Sequence, residues 1–331
     1  MKPVQWGVIG VSGHYRLRCS APLQRSETVR MRGIASRSVE RARAAAGEFG
    51  MSVGYGSYEE LLKDPEIEAV YIPLPNHMHL EWIKKAADAG KHILCEKPLG
   101  LNAGEVEEAI AYTNKKGVLL MEAFMYRLHP QWLTAKELVS IGEIGSLTAV
   151  QSHFFYDNRD PNNIRNRRDA GGGGILDIGC YAVSSARFLT GKEPVQVMSL
   201  IDWDEQFGTD RLASGILDFG DGLQATFSVG TQTYAQQKVQ AFGTGGTVRV
   251  ELPFNAYPDV PLEVHVETGI GHRTVNHPPM DQYQIQFEKF SEAVRQGGPV
   301  PTPIEDALGN QRVLDALFRS GKNRSWERPE T

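Results

Sequence analysis

The first 125 or so residues alternate short apolar runs with helical patterns, and no other feature of the chain narrows its fold as much. Val4–Ile9, Arg30–Ala35, Ala69–Ile72, His92–Cys95 and Val118–Met121 read as strands. Helices are expected between them, from about Val39 to Phe49, after Ser57, from about His77 to Ala89, and from Asn102 to Lys116. Ser57 with Glu60 three residues on makes a capping box, and Gly90 and Gly117 stand where a helix C-terminus favours a left-handed residue. Strands joined through helical crossovers run parallel. The expected fold is therefore α/β, beginning with a Rossmann domain on a parallel sheet.

Beyond Phe124 the rhythm changes. Ser146–Tyr156 reads as one long strand, followed by a glycine run and a helix from Ile175 to about Leu189. Val195–Ile201, Ala213–Asp218, Gln224–Val229, Gln237–Phe242 and Thr247–Leu252 are further strand candidates, separated by turn formers such as Gly220-Asp221-Gly222. This pattern predicts a C-terminal α+β domain with an open, mostly antiparallel sheet. Helices near Gln282–Arg295 and Ile304–Arg319 close the chain, and the last can return to the first domain. A length of 331 residues suits two domains. They are placed at 1–124 and 125–331.

The formal net charge of −5 argues against a general nucleic-acid binder. Residues 1–50 nevertheless hold nine Lys/Arg against three Asp/Glu, a basic excess that suits a phosphate-bearing ligand as well as a solvated helix face. Cys19, Cys95 and Cys180 are an odd, sparse set without a CxxC pair, consistent with reduced thiols and no zinc site. The N-terminus reads directly into a strand, and no run nears the roughly 18 apolar residues of a membrane span. A cytoplasmic protein is expected, with no metal, membrane or nucleic-acid partner.

The stretch Gly7-Val8-Ile9-Gly10-Val11-Ser12-Gly13 lies between a strand and a helix, where a close backbone turn can cradle a pyrophosphate against helix N–H groups. Gly10 matches the first glycine of the dinucleotide fingerprint. Ser12 and Tyr15 stand at the second and third, and Gly13 comes one place late. An NAD-preferring fold places a carboxylate at the end of the second strand. Here that end reads Ala35-Ser36-Arg37-Ser38, with Arg41 one turn on. A hydroxyl with arginines suits a 2′-phosphate, which predicts NADP, with NAD as the alternative. Read alone, the same residues also fit an ordinary tight turn and an exposed helix face.

Two later motifs are more telling. Glu96-Lys97-Pro98 ends a strand at the carboxyl edge, where open α/β sheets bind ligands. Gly171-Gly172-Gly173-Gly174 leads into Ile175-Leu176-Asp177-Ile178-Gly179-Cys180-Tyr181. With Pro75-Asn76-His77-Met78-His79 and Tyr126-Arg127-Leu128-His129-Pro130, they make nearly the whole chain resemble the glucose–fructose oxidoreductase and inositol dehydrogenase family. The resemblance implies a cofactor between a Rossmann domain and an open-faced second domain whose sheet often forms the oligomer interface of a homodimer or homotetramer. It makes Lys97 the catalytic lysine and brings Asn76, His79 and Glu96 to the cofactor. Inositol dehydrogenase-like members carry Asp-x-Gly-x-His. Tyr181 stands in place of that histidine, which looks like the subgroup of NADP-dependent D-xylose dehydrogenases and dihydrodiol dehydrogenases.

The chemistry of these residues is compatible with that likeness. Hydride transfer at a carbinol carbon requires a proton to move at the attached oxygen. Asp177 and Tyr181, four apart, share one helix face. Tyr181 is assigned as the proton carrier, although a phenol titrating near ~10 needs a nearby cation to act as a base. Lys97 can be that cation and can hydrogen-bond the reacting oxygen. Asp177 is assigned to position the substrate or Lys97, and Arg127 and Phe155 to line the substrate cleft. The expected reaction is NADP-dependent hydride transfer to or from an aldose such as D-xylose or D-glucose, or a cyclic diol. Alternatives are reduction of a keto-sugar or nucleotide sugar, with Arg159, Arg165, Arg167 and Arg168 near its phosphates, and a non-catalytic NADP-binding regulator.

Overall fold

The computed structural model describes residues 2–329. The chain forms two compact units. One comprises the residues up to Met125 with Asp281–Leu308, the other Tyr126–Met280 with the residues from Gly309 on.

In the first unit β1 (Val4–Ile9) leads through a π-helical turn, Tyr15–Cys19, and α1 (Ser20–Leu23) to β2 (Val29–Ala35). There follow α2 (Val39–Glu48), β3 (Val53–Tyr55), α3 (Tyr58–Lys63), β4 (Ala69–Ile72), α4 (His79–Asp88), β5 (His92–Cys95), α5 (Ala103–Lys116) and β6 (Leu120–Glu122). The six strands pair in parallel in the order β3-β2-β1-β4-β5-β6. The order reverses between β1 and β4, the switch point at which doubly wound sheets open a crevice beyond their carboxyl ends. The expected caps form: Ser57 Oγ accepts from the Glu60 N–H at 3.1 Å, and Gly117 ends α5 at φ +67°. β3 goes unread from sequence because three half-buried residues carry no periodicity.

α8 (Gln282–Gln296) completes this unit. Trp6 on β1 accounts for it. Its fully buried ring lies 4.8 Å from Phe287 and 5.5 Å from Phe290, and its Nε1–H donates to Ser291 Oγ at 3.0 Å. Each such buried aromatic side chain stabilises by roughly 1.5–3 kcal/mol. Arg295 fixes the far end of the helix on both oxygens of Glu68, at 2.6 and 2.7 Å. The last helix is expected to return to this unit, but the helix that returns whole is α8. Of α9 (Glu305–Asn323), Ala307 and Leu308 pack on the first core, and the remainder belongs to the second unit.

The second unit begins with α6 (Pro130–Ser140), β7 (Leu147–Asp157) and α7 (Cys180–Thr190), the last preceded by a π-helical turn at Ile175–Gly179. The strands β8 (Gln196–Trp203), β9 (Asp210–Asp218), β10 (Gln224–Gly230), β11 (Gln232–Gly243), β12 (Gly246–Val250), β13 (Leu262–Thr268) and β14 (Gly271–His277) complete an eight-stranded sheet. Its order is β14-β13-β12-β11-β7-β10-β9-β8, antiparallel throughout except where β7 meets β10. α6 and α7 pack on it, and Tyr126, Trp132, Phe154, Tyr181 and Phe254 form an aromatic core. Leu200, Leu212 and Ile216 remain exposed. α6, β13 and β14 are additions to the sequence reading. Among the described residues, no helix is long and apolar enough to cross a membrane.

Candidate active site

At the carboxyl end of β1, Gly10 takes φ +112°, and a Cβ there would meet Leu74 Cδ2 at 2.8 Å. The positive φ is what favours glycine here. Ser12 Oγ accepts from the Tyr15 N–H at 3.0 Å and so caps the helical segment, while a Cβ at Gly13 would meet nothing within 4 Å. A capped helix start beside open space fits a pyrophosphate. At the end of β2, buried Ser36 accepts from the Ser38 N–H at 3.4 Å and Arg37 is exposed. Arg41 reaches across to donate to the Val11 carbonyl at 2.9 Å. Arg41 thus reaches the glycine turn from the helix that follows Ser36 and Arg37, and a hydroxyl with arginines at this strand end fits a dinucleotide bearing a 2′-phosphate.

The Glu96-Lys97-Pro98 segment follows β5, with a cis bond between Lys97 and Pro98. Its backbone is held from several sides. The Glu96 N–H donates to the Ile72 carbonyl at 3.1 Å, and the Leu99 N–H to Glu122 Oε1 at 2.8 Å. Tyr71, fully buried, donates to Glu96 Oε1 at 2.6 Å, and His14 Nε2 stands 3.5 Å from the same oxygen. Lys97 itself is half-buried. Asn76 lies in the short 3-10 turn Asn76–Met78 after β4.

His79 is expected at the cofactor ribose. It is instead wholly buried, with Nδ1 2.9 Å from the Pro98 carbonyl and Nε2 2.9 Å from the Leu74 carbonyl. Burial pushes its pKa down, against the opposing pull of the two carbonyls. The ring therefore sits between the loop after β4 and the loop after β5, and the neutral imidazole donates to one of the two carbonyls. Glu96 likewise has its carboxylate held by Tyr71.

In the second unit Asp177 lies within the π-helical turn and Tyr181 in the first turn of α7. The Cys180 N–H bonds the Ile175 carbonyl five residues back. In that wider turn, residues four and five apart share a side. Asp177 Oδ2 accepts from the Tyr156 hydroxyl at 2.7 Å and from Arg165 Nε at 2.9 Å. Burial and then the carboxylate hold the Tyr156 phenol well above its usual range, and the carboxylate keeps Arg165 firmly charged. Tyr181 is buried among Tyr126, Phe154 and Phe254.

The glycine run is packed closely against its own surroundings. A Cβ at Gly173, where φ is +119°, would fall on the Asp210 carboxylate, and one at Gly172 on the Arg165 carbonyl. Asp210, almost fully buried, accepts from the Ile175 N–H at 2.5 Å and so caps the helical segment that carries Asp177 and Tyr181. Burial raises its pKa to about 7. At the other side, Asn310 donates to the Cys180 carbonyl at 3.2 Å.

Two substrate-side expectations change. Phe155 alternates with Phe154 and Tyr156 along β7. Phe154 packs on Tyr181 and Tyr156 bonds Asp177, so Phe155 faces the opposite side, stacked beside His153 at 5.8 Å. Arg127 is buried, donating to Ser184 Oγ at 3.1 Å and the Ser184 carbonyl at 3.2 Å, with Phe188 beneath it at 5.4 Å. It braces α7. Asp210 has no role in the sequence reading, and Arg165, expected only near the phosphates of a nucleotide sugar, instead binds Asp177 beside Tyr156. Tyr156 reaches Asp177 from β7, Arg165 from the short turn Ile164–Asn166, and Asp210 meets the helix start from the first position of β9. Among the described residues no group of three His, Cys, Asp or Glu side chains is placed to hold a metal ion.

The chain matches two family models: the oxidoreductase family with NAD-binding Rossmann fold over residues 4–124, and the GFO/IDH/MocA C-terminal domain over residues 132–249. It is 42% identical over 332 residues to an uncharacterized oxidoreductase, ORF334, of Rhizobium meliloti, covering 99% of each chain. It is 36% identical over 320 residues to the D-xylose 1-dehydrogenase (NADP(+)) 2 of Haloferax volcanii, covering 96% of this chain and 98% of that one. Among solved structures it resembles KijD10, a 3-ketoreductase from Actinomadura kijaniata in complex with NADP and TDP-benzene. That match has a TM-score of 0.90 and 29% identity, and covers 96% of this chain and 98% of the other. With both halves matched, and relatives aligned from end to end, the chain belongs to the GFO/IDH/MocA oxidoreductase family.

Proposed function

We propose that this protein is an NADP-dependent dehydrogenase acting on a CH–OH group of an aldose or cyclic diol. The observation that carries the reading is the loop after β5, where Lys97 stands at the carboxyl edge of the sheet on backbone anchored to Ile72, His79 and Glu122. When bound, the nicotinamide accepts or supplies the hydride. Tyr181 takes the proton of the substrate hydroxyl during oxidation and returns it during reduction. Lys97 donates a hydrogen bond to the same oxygen and stabilises its developing charge. Ser36, Arg37 and Arg41 favour NADP over NAD, in keeping with the name of the Haloferax volcanii relative. We infer also that copies of the chain associate through the exposed face of the eight-stranded sheet.

A second reading is reduction of a keto-sugar carried on a nucleotide. The likeness to KijD10, a ketoreductase solved with TDP-benzene, favours it. The test records nicotinamide absorbance with NADP⁺ or NAD⁺ against D-xylose, D-glucose, other aldoses, myo-inositol and a cyclic trans-diol, and with NADPH against keto-sugars. Turnover of an aldose or the diol with NADP⁺, abolished by Lys97→Met, is expected. Turnover only of nucleotide-linked ketones selects the second reading. Silence throughout, with NADPH still bound, overturns both.

A further inference from the structure

The Tyr181 phenol lies in an apolar pocket of aromatic rings, which on its own would make it a poor base. Its charged surroundings within the second unit are specific. Asp177 precedes it by four residues on the same helical segment. Arg165 comes from the short turn Ile164–Arg165–Asn166, Tyr156 from β7, Asp210 from the start of β9, and Tyr126 from the turn before α6.

Asp177 and Arg165 are joined at 2.9 Å, and Tyr156 donates to the same carboxylate oxygen at 2.7 Å, which orients it. Arg165 in turn accounts for the Gly172 position, because the Arg165 carbonyl fills the place of a Cβ there. The turn and the helix start are thus built against each other. The guanidinium is also close enough to Tyr181 to interact with it electrostatically.

We propose that Arg165 and Asp177 form a charge-compensated pair whose function is to set the proton affinity of the Tyr181 phenol. The inference rests on Tyr181 as the proton carrier. It makes Arg165 a positioning residue and changes the meaning of Asp177 from substrate ligand to half of an electrostatic pair. Removing the cation takes positive charge from beside the phenol, which disfavours phenolate. Removing the carboxylate leaves an uncompensated guanidinium, which favours it. The two single substitutions therefore act in opposite directions, and the double substitution largely cancels. A purely structural role for the pair predicts damage of one sign, adding or saturating in the double variant.

The experiment compares Arg165→Gln, Asp177→Asn and the double variant in two readouts. One is the pH profile of kcat for alcohol oxidation, whose acid limb reports the base. The other is ultraviolet titration of tyrosinate in the full chain, with Tyr181→Phe subtracted to isolate one phenol. The expected result is a shift upward by about one pH unit in Arg165→Gln, downward by about one in Asp177→Asn, and within about 0.3 of the unsubstituted protein in the double variant. Shifts of the same sign, or none, overturn the proposal. Tyr181→Phe separates it from the reading beneath it. If that variant keeps turnover and acid limb while the tyrosinate titration still shows opposite shifts, the proton-carrier assignment fails and the electrostatic pair stands.

Discussion

Single residues were legible in type and less so in direction. The Glu96-Lys97-Pro98 and Asp177–Tyr181 motifs could be picked from sequence because their spacing is local. What each side chain faces depends on partners far along the chain. Phe155 and Tyr156 are neighbours in an aromatic run, and only the register of β7 decides that Tyr156 meets Asp177. His79 shows the same limit. Its position near the cofactor loop is apparent from sequence, but its two carbonyl partners, Leu74 and Pro98, exist only once β4 and β5 lie side by side. As an anchor, His79 should matter for stability and turnover and little for cofactor affinity. His79→Ala is expected to lose about 2 kcal/mol of stability, for one lost hydrogen bond and a small cavity, and to lower kcat. NADPH affinity should change by less than about threefold. Thermal melts and fluorescence titration of NADPH check this. A normal melt with weakened NADPH binding would return His79 to the role of cofactor ligand.

At the scale of elements, long periodic segments were read correctly and interrupted ones were not. β1, β4 and β5 have the expected bounds. α6 escaped because its N-terminal signals, His129 capping Gln131 and Pro130 at the first turn, follow a 3-10 turn directly instead of a loop. β13 alternates as a half-buried strand should, whereas β14 is an exposed polar edge strand that only pairing reveals. The helical segment that carries Asp177 and Tyr181 holds the largest surprise, since its start is set by Asp210 from β9. That carboxyl group titrates at about 7 in the folded chain, because burial disfavours its charge, against 3.8 ordinarily. Between those values the folded protein holds a proton that the unfolded chain releases, so stability falls as pH rises across the window and the term is absent below it. His129, pushed down to about 4 by burial and by His277, contributes in the opposite sense as pH rises toward its ordinary 6.5. The two are separable by difference. Asp210→Asn keeps an oxygen for the Ile175 N–H and removes the titration. Its melting temperature, compared with the unsubstituted protein at about pH 5 and about pH 8, is expected to gain relative stability at the higher pH. Parallel curves would place the Asp210 proton elsewhere.

For the molecule as a whole, the change of rhythm near residue 125 announced a parallel-sheet unit followed by an antiparallel one, and both sheets are present. The return of α8 was not legible, because an amphipathic helix near the C-terminus carries no label for the sheet it covers. Trp6 and Glu68, its partners, lie more than two hundred residues earlier. The exposed side of the second sheet raises the remaining question at this scale. Leu200 on β8 pairs with Ser214 on β9, and Leu212 and Ile216 flank that serine on the same face, 42% and 37% exposed beside the 75% of Leu200. Their chain neighbours Ser199, Ala213 and Leu217 are buried on the other face. Three apolar side chains in one patch on an open sheet favour association with a second copy through a two-fold axis. Such symmetry presents every substitution twice. Burying a carboxylate costs about 3 kcal/mol even after relaxation, so Leu200→Glu should cost about 6 kcal/mol per dimer and weaken association about 10⁴-fold. Sedimentation analysis is expected to find an assembly for the unsubstituted chain and a folded monomer for Leu200→Glu and for Ile216→Glu. Thr148→Glu, an exposed position on β7 near the strand's start, should leave the assembly intact. A monomer without substitution, or an assembly indifferent to both glutamates, would remove this face from the interface and leave its apolar patch to another partner.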